Sequence, residues 1–367
     1  MEIQMKRLKT CLDKSFTDYI NEKVFPGAAV GISSFIGGEF ERMIFCYGKT
    51  DGSANEVNQN TLYDVASLTK PLVTVLSILA LIEEKKISWE ERLESLLSFD
   101  IPKDKRDISL IHLMSHCSGL PAHRPYYKDL VRIAPELRRD IILKTIINED
   151  LLYPPGEGSL YSDLGYILLG NIIEERSRER LDAFWRKKIT VPLHLQKKLL
   201  FPKNEEIQEK NFASTGYSSI LTRNLYGVVH DDNCRILGGV AGHAGLFGTI
   251  EGVLTLCEKI LMGYNDQSTH PSFSNDNLRV VLEQRQNSPW TLGFDTPSPA
   301  ASSSGRFFSK KSIGHLGFTG TSFWIDLQQR VCIVFLSNRT FFGIENEKLK
   351  KVRPIIHDMI MREITGK

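Results

Sequence analysis

Six cysteines are spread through 367 residues, and no two of them form a Cys-x-x-Cys pair. The isolation of Cys11, Cys46, Cys117, Cys234, Cys257 and Cys332 excludes a zinc ribbon or a dithiol redox motif and reads as buried, reduced thiols. An excess of charge is also missing. The 46 basic and 44 acidic residues leave a formal net charge of +2, with no dense basic stripe, which argues against nucleic acid as a partner. No apolar run is long enough for a membrane span, because the one near Leu72 to Ile82 is interrupted by Thr74 and Ser77. The N-terminal stretch has Leu8, Leu12, Phe16 and Ile20 at helical spacing among charges, without the apolar core of a secretory signal, so the expected location is cytoplasmic. The glycine-dense segment 238–245 lacks the Lys-Ser/Thr ending of a phosphate loop, so no nucleotide cofactor is expected. There is no internal repeat.

What remains is the composition of an ordinary globular chain, 41% hydrophobic and 25% charged, long enough for two lobes that share a core. A helix from about Ile3 to Val24 is stopped by Pro26-Gly27. A strand from Ala28 to Ser33 then turns at Gly37-Gly38 into a second strand from Glu39 to Tyr47. After a polar loop over 49–59, helical signals dominate from Glu83 to about Arg235. They include a helix capped by Ser109 and ended by Ser118-Gly119, and helices over Pro135 to Asn148 and Leu164 to Arg180. A helix from about Glu251 to Tyr264 and polar loops at 265–277 and 296–305 lead to three adjacent antiparallel strands, Ser312 to Leu316, Ser322 to Asp326 and Val331 to Leu336. An amphipathic helix from about Glu345 to Ile364 closes the chain. The fold class is α/β (α+β). An antiparallel sheet built from the chain's two ends, residues 1–82 and 236–367, is flanked by the terminal helices. A mainly helical lobe, 83–235, is inserted between them.

The chemistry starts at Ser67-Leu68-Thr69-Lys70. If a helix begins at Ser67, Lys70 follows one turn later on the same face, which sets an amine beside a hydroxyl that needs activation. Two further stretches fall where side chains can enter a cleft between lobes. Tyr161-Ser162-Asp163 immediately precedes a helix, and His315-Leu316-Gly317 lies on the first late strand, where the glycine would let a substrate lie against the backbone.

The order Ser67-x-x-Lys70, Tyr161-x-Asp163, His315-x-Gly317 resembles the three boxes of the serine β-lactamase and penicillin-binding-protein superfamily. The likeness is to the branch with class C β-lactamases, D,D-carboxypeptidases, D-aminopeptidases and EstB-like esterases. Phe25-Pro26-Gly27-Ala28 and the stretch Leu110 to Leu120 carry the same likeness. The resemblance implies a cofactor-free serine hydrolase with Ser67 as the acylated nucleophile. Lys70 and Tyr161 would move its proton, and the backbone N–H groups of Ser67 and Phe318 would form the oxyanion hole. Tyr161 would then need a lowered pKa, with Lys70 as the source.

Three residues depart from the pattern. Asp163 stands where class C enzymes have Asn. A carboxylate cannot donate to the amide carbonyl of a β-lactam, and it would oppose ionisation of Tyr161, so Asp163 is expected to turn away and cap the next helix. His315 replaces a permanent lysine charge, and Leu316 deletes a hydroxyl. Together these favour a small ester or amide of low negative charge. The alternatives are a D-aminopeptidase or D,D-carboxypeptidase acting on peptidoglycan fragments, a weak β-lactamase, or a non-catalytic scaffold. His112 and His116 lack the carboxylate of a metal motif and read as structural, so no metal is expected. His243, with His230-Asp231-Asp232, is either a substrate contact or a loop brace.

Overall fold

A computed structural model describes residues 2–52, 55–202, 211–285 and 288–366. Positions 53–54 of the polar loop expected over 49–59 lie outside them. The first helix, α1 (Glu2–Asn21), is followed by a hairpin of β1 (Gly27–Ile36) and β2 (Glu39–Gly48). Gly37 and Gly38 turn the hairpin with φ of 61° and 98°, values that favour glycine. After α2 (Leu76–Glu83), α3 (Asp163–Ser177) and α4 (Ile250–Tyr264) come β3 (Ser312–Leu316), β4 (Ser322–Asp326), β5 (Val331–Ser337) and α5 (Lys348–Thr365). The five strands form one antiparallel sheet in the order β2-β1-β5-β4-β3, so β1 from one end of the chain pairs with β5 from the other, Gly31 opposite Val334.

Both faces of this sheet are covered. Leu8, Leu12 and Phe16 of α1 and Ile356, Ile360 and Met361 of α5 share a core with Val30, Ile333 and Phe335, so the two terminal helices lie on one face as the sequence suggested. On the other face, Ile250, Val253 and Leu254 of α4 join Ala29, Val334 and Leu336 to a larger core that includes the helices of the middle third. Burial of these apolar side chains, at about 25 cal/mol per Å², is what holds the layers together.

The segment leading into α2 differs from the regular helix expected from Ser67. Residues 66–68 form a 3₁₀ turn and Lys70–Val75 a π-helical turn before the α-helical register begins. Pro71 has no N–H to give, and the irregular register leaves the Leu72 carbonyl to accept the indole N–H of Trp185 at 2.8 Å. The stretch 66–83 is apolar enough by composition to cross a membrane, but 83% of it is buried inside the protein, packed among the helices of the middle third. Two smaller differences have simple causes. The helix capped by Ser109 ends at Met114, before Ser118-Gly119, because His116 adopts a left-handed φ of 61°. Part of the stretch assigned to a polar loop is a helix, Asn275–Leu282, capped by Ser274 and anchored by Leu278, Val281 and Leu282.

Candidate active site

Ser67 sits on a turn that the surrounding chain holds tightly. Ala66, just before it, has φ +49°, a costly conformation for a residue with a side chain. The buried Asp64 carboxylate accepts the Ala66 N–H at 2.9 Å and the His230 N–H at 2.7 Å. Thr69 Oγ1 donates to the Ala66 carbonyl at 2.6 Å and accepts the N–H of Leu246. The strain at Ala66 is thus held by its neighbours, and the Ser67 hydroxyl faces a cavity of about 900 Å³ between the sheet and the helices.

Lys70 is fully buried, and its three ammonium protons have three acceptors: Asp163 Oδ1 at 2.7 Å, Ser67 Oγ at 3.0 Å and the His243 carbonyl at 3.3 Å. Burial pushes Lys70 towards the neutral form. The charge of Asp163 and the hydrogen bond it accepts are the main opposing influences, and the balance holds the Lys70 pKa above the usual lysine value. Tyr161 lies within hydrogen-bonding range of both Lys70 and Ser67, with the Lys70 nitrogen 4.7 Å from its ring centroid. The hydroxyl, the amine and the phenol therefore meet.

Asp163 does not turn away, and it does not cap the helix. Ser162 is the cap, its hydroxyl accepting the Gly165 N–H, so Asp163 is the first residue of α3 and points back at Lys70. Burial pushes the Asp163 carboxyl up, but the Lys70 charge and the hydrogen bond from His123 hold it well below the usual carboxylate range. His123 Nδ1 is 3.4 Å from Asp163 Oδ2 and, through that bond, gains a pKa above the ordinary value. Tyr161 departs from expectation as well. Burial raises its pKa above 10, and the opposing Lys70 charge is offset by Asp163 and does not bring it down. At neutral pH the site holds an ammonium, a carboxylate and a neutral phenol.

His315 is buried. Its Nδ1–H donates to the Leu316 carbonyl at 2.8 Å, and burial together with Lys70 lowers its pKa to about 3, so its Nε2 presents a bare lone pair. Gly317 lines the cavity and also has a packing role. A Cβ there would overlap Thr321 Oγ1 and lie 2.7 Å from the Val65 carbonyl, so the glycine lets the end of β3 pack against the turn that carries Ser67. This packing brings Phe318, a half-exposed residue, to the cavity. Among the described residues, the backbone N–H groups of Ser67 and Phe318 donate to no protein acceptor. His243 lines the cavity, and its Nε2 is 2.9 Å from Asp231 Oδ1, so its ring is braced while its carbonyl holds Lys70.

Several residues at the site gave no signal in the sequence. The Tyr161 ring is enclosed by His116, Trp290 and His315, with centroids at 4.6, 5.2 and 5.8 Å. His116 accepts the Ser162 N–H at Nδ1, which ties the ring that packs on Tyr161 to the residue beside it. His112 is turned to its own helix cap, its Nδ1 accepting the Ser109 N–H, so the two histidines do not converge. Asp295, raised to about 7 by burial, lines the cavity where its backbone pairs with Gly314 of the edge strand. On the far wall lie Arg339 and Arg353.

Comparison with known proteins agrees with this geometry. Residues 12–353 match the Beta-lactamase family model. A protein of Escherichia coli (strain K12) provisionally named a D-alanyl-D-alanine carboxypeptidase is 29% identical over 303 residues, 76% of this chain and 69% of its own length. Its namesake in Salmonella typhimurium is 28% identical over 311 residues, 79% and 72% of the two chains. In fold, the octameric penicillin-binding protein homologue from Pyrococcus abyssi is similar with a TM-score of 0.74 at 20% identity, over 98% of this chain and 77% of that one. EstCE1, described as a hydrolase with promiscuous acyltransferase activity, has a TM-score of 0.72 at 19% identity, over 95% and 98%. With the family match spanning nearly all of the sequence, the chain belongs to the beta-lactamase family of serine hydrolases.

Proposed function

We propose that this enzyme cleaves a small ester or amide through an acyl-Ser67 intermediate. The observation that carries the reading is the three-way contact of Ser67, Lys70 and Tyr161 inside the cavity. Lys70 spends its protons on Ser67, Asp163 and the His243 carbonyl, so in this state it is a donor and cannot take the serine proton. Tyr161 is the remaining acceptor. Loss of one proton from the Lys70–Tyr161 pair, which titrates as a unit, would give the phenolate that deprotonates Ser67 and later activates water. The free N–H groups of Ser67 and Phe318 would hold the oxyanion.

Ester and amide substrates are favoured over β-lactams because Asp163 is committed to Lys70 and His123 and has no proton to donate to a substrate carbonyl. The names of the curated relatives support a second reading, cleavage of a D-amino-acid peptide as a carboxypeptidase or aminopeptidase. We place the enzyme in the cytoplasm, where its six unpaired cysteines would remain reduced. Labelling with a fluorescent fluorophosphonate and a fluorescent penicillin, followed by kcat/KM for p-nitrophenyl esters, D- and L-aminoacyl anilides and nitrocefin, tests these readings. Fluorophosphonate labelling that disappears in Ser67→Ala supports the acyl-serine. Wild-type protein that reacts with no probe and turns over no substrate would point to a scaffold.

A further inference from the structure

The cavity wall on the Tyr161 side carries a carboxyl group that the chemistry at Ser67 leaves unused. Residues 289–296 fold back on themselves in a tight turn, with Trp290 opposite Asp295 and the Thr296 N–H donating to the Pro289 carbonyl at 3.1 Å. The turn docks on the outer edge of β3, where Asp295 exchanges both main-chain hydrogen bonds with Gly314, at 2.7 and 2.9 Å. Residues facing each other across such a pair project their side chains to the same side, with Cβ atoms about 5 Å apart. The Trp290 ring centroid lies 5.2 Å from that of Tyr161 and 6.0 Å from that of His315, so the Asp295 carboxyl stands near the reacting groups on a backbone held from both sides.

Asp295 differs from the other acids of the cavity. Asp163 faces Lys70 and His123, Asp231 faces His243, and Asp232 faces Arg235. Among the described residues Asp295 forms no ion pair, and its carboxyl accepts one hydrogen bond, from the N–H of the adjoining Thr296 at 2.9 Å. Burial with no cation beside it is what raises its pKa to about 7. One residue beyond Gly314, His315 is 1% exposed and its Nε2 has no partner, since its proton sits on Nδ1 and is given to the Leu316 carbonyl. A carboxyl group, an imidazole lone pair and an indole ring thus line one corner of the cavity, and each attracts positive charge. Lys70 does not fill that role, because its three protons are already engaged by Ser67, Asp163 and the His243 carbonyl. We propose that Asp295 and Trp290, with His315 Nε2 beside them, form an ammonium-binding subsite, so that the preferred substrate is an ester or amide carrying a positively charged amine a few bonds from the scissile carbonyl. This rests on the hydrolase reading and names its substrate class. An arriving ammonium supplies the counter-charge that Asp295 lacks and holds its carboxyl ionised, and away from bulk water that attraction is stronger than at the surface.

Two pairs of substrates matched in shape test the proposal. Acetylcholine against 3,3-dimethylbutyl acetate puts the charge in the leaving group. Alanine 4-nitroanilide, as either enantiomer, against isobutyric acid 4-nitroanilide puts it in the acyl half. In at least one pair the cationic substrate is expected to have the higher kcat/KM. Asp295→Asn, which keeps an acceptor for the Thr296 N–H, should lower that preference by about 10- to 100-fold, mainly through KM, and Asp295→Glu should restore part of it. A preference absent from both pairs overturns the subsite. So does one that survives in Asp295→Asn because both members of the pair fall alike, the mark of a purely structural role. If the wild type turns over no ester or anilide of any kind, the hydrolase reading fails, and calorimetric titration decides the subsite instead, with choline against 3,3-dimethylbutanol and alaninamide against isobutyramide. A cation bound in preference to its neutral counterpart in either pair, and about tenfold more weakly by Asp295→Asn, supports it. Equal or undetectable binding in both pairs, or a preference that Asp295→Asn does not change, overturns it.

Discussion

The two ends of the cavity treat buried charge in opposite ways. At one end Lys70 faces Asp163 at 2.7 Å, Asp163 reaches on to His123, and Asp231 meets His243, so each charge is compensated within the protein. At the other, Arg353 donates to a main-chain carbonyl with no carboxylate paired to it among the described residues, and Arg339 donates to main-chain carbonyls with only the more distant charge of Glu347 acting on it. Compensated charge fixes positions and protonation states and readies a nucleophile. One end holds the nucleophile's neighbours and the other braces the 317–321 turn, and substitutions at the two ends should separate these roles.

The largest effect belongs to the serine itself. Ser67→Ala should reduce turnover by about 10⁴-fold or more, with the fold retained by circular dichroism. Residual ester cleavage close to wild type would show that the reacting group lies elsewhere. Next comes the packing of the edge strand against the Ser67 turn. The added methyl in Gly317→Ala must displace both the Thr321 hydroxyl and the Val65 carbonyl. It should cost about 1–3 kcal/mol of stability through overpacking and about 100-fold in kcat by moving the Phe318 N–H. A variant with normal kcat would remove Phe318 from the oxyanion hole.

Stability distinguishes the two ends directly. Lys70→Met strands the Asp163 carboxylate, and with Asp163 about a fifth exposed the loss should be about 2–3 kcal/mol by chemical denaturation. Arg353→Met removes a charge without a partner, so it should leave stability unchanged or raise it by about 1 kcal/mol. If the two variants were equally destabilised, Arg353 would be paired in solution and the contrast would fail. The pH profile gives a further separation. Asp163 favours the protonated form of both Lys70 and Tyr161, so Asp163→Asn should let the pair lose its proton at lower pH. The rising limb of kcat/KM would then move towards acid. A limb that stays in place, or moves to higher pH, would show that Asp163 does not act on the titrating pair.

How much of this was legible in the sequence depends on whether a residue's role is local. The Ser67, Lys70 and Tyr161 motifs and the strands built from both chain ends could be read because spacing and alternation are local signals. The orientation of Asp163 could not. Whether it or Ser162 caps α3 turns on a backbone dihedral one residue away, with Ser162 extended at φ −129° and Asp163 already helical. The enclosure of Tyr161 by His116 and Trp290 brings together single aromatic residues from distant loops, and no periodicity marks them. Arg353 was hidden by its setting. On an amphipathic final helix a lone arginine reads as solvent-facing, and only the wall formed by residues 317–321 shows that it is covered. Gly317 was noticed for its small size, but the close approach of the Ser67 turn to it depends on a contact between distant segments that no local pattern shows.

The smallest expected effect tests how far compensation reaches at the acidic end. His123 is about half exposed, and its hydrogen bond to Asp163 raises its pKa above 6.5. Its protonated form therefore contributes stability that is complete below pH 6.5 and is lost as pH rises through the elevated value. With solvent screening, that contribution is a few tenths of a kcal/mol. While protonated, His123 also offsets part of the Asp163 charge felt by Lys70 and Tyr161, which eases loss of a proton from the pair. His123→Ala should accordingly depress kcat/KM by about twofold at pH 6 and leave it unchanged at pH 9, where the wild-type imidazole is neutral as well. A mutant-to-wild-type ratio that stayed constant from pH 6 to pH 9 would confine His123 to shaping the cavity mouth and end the electrostatic chain at Asp163.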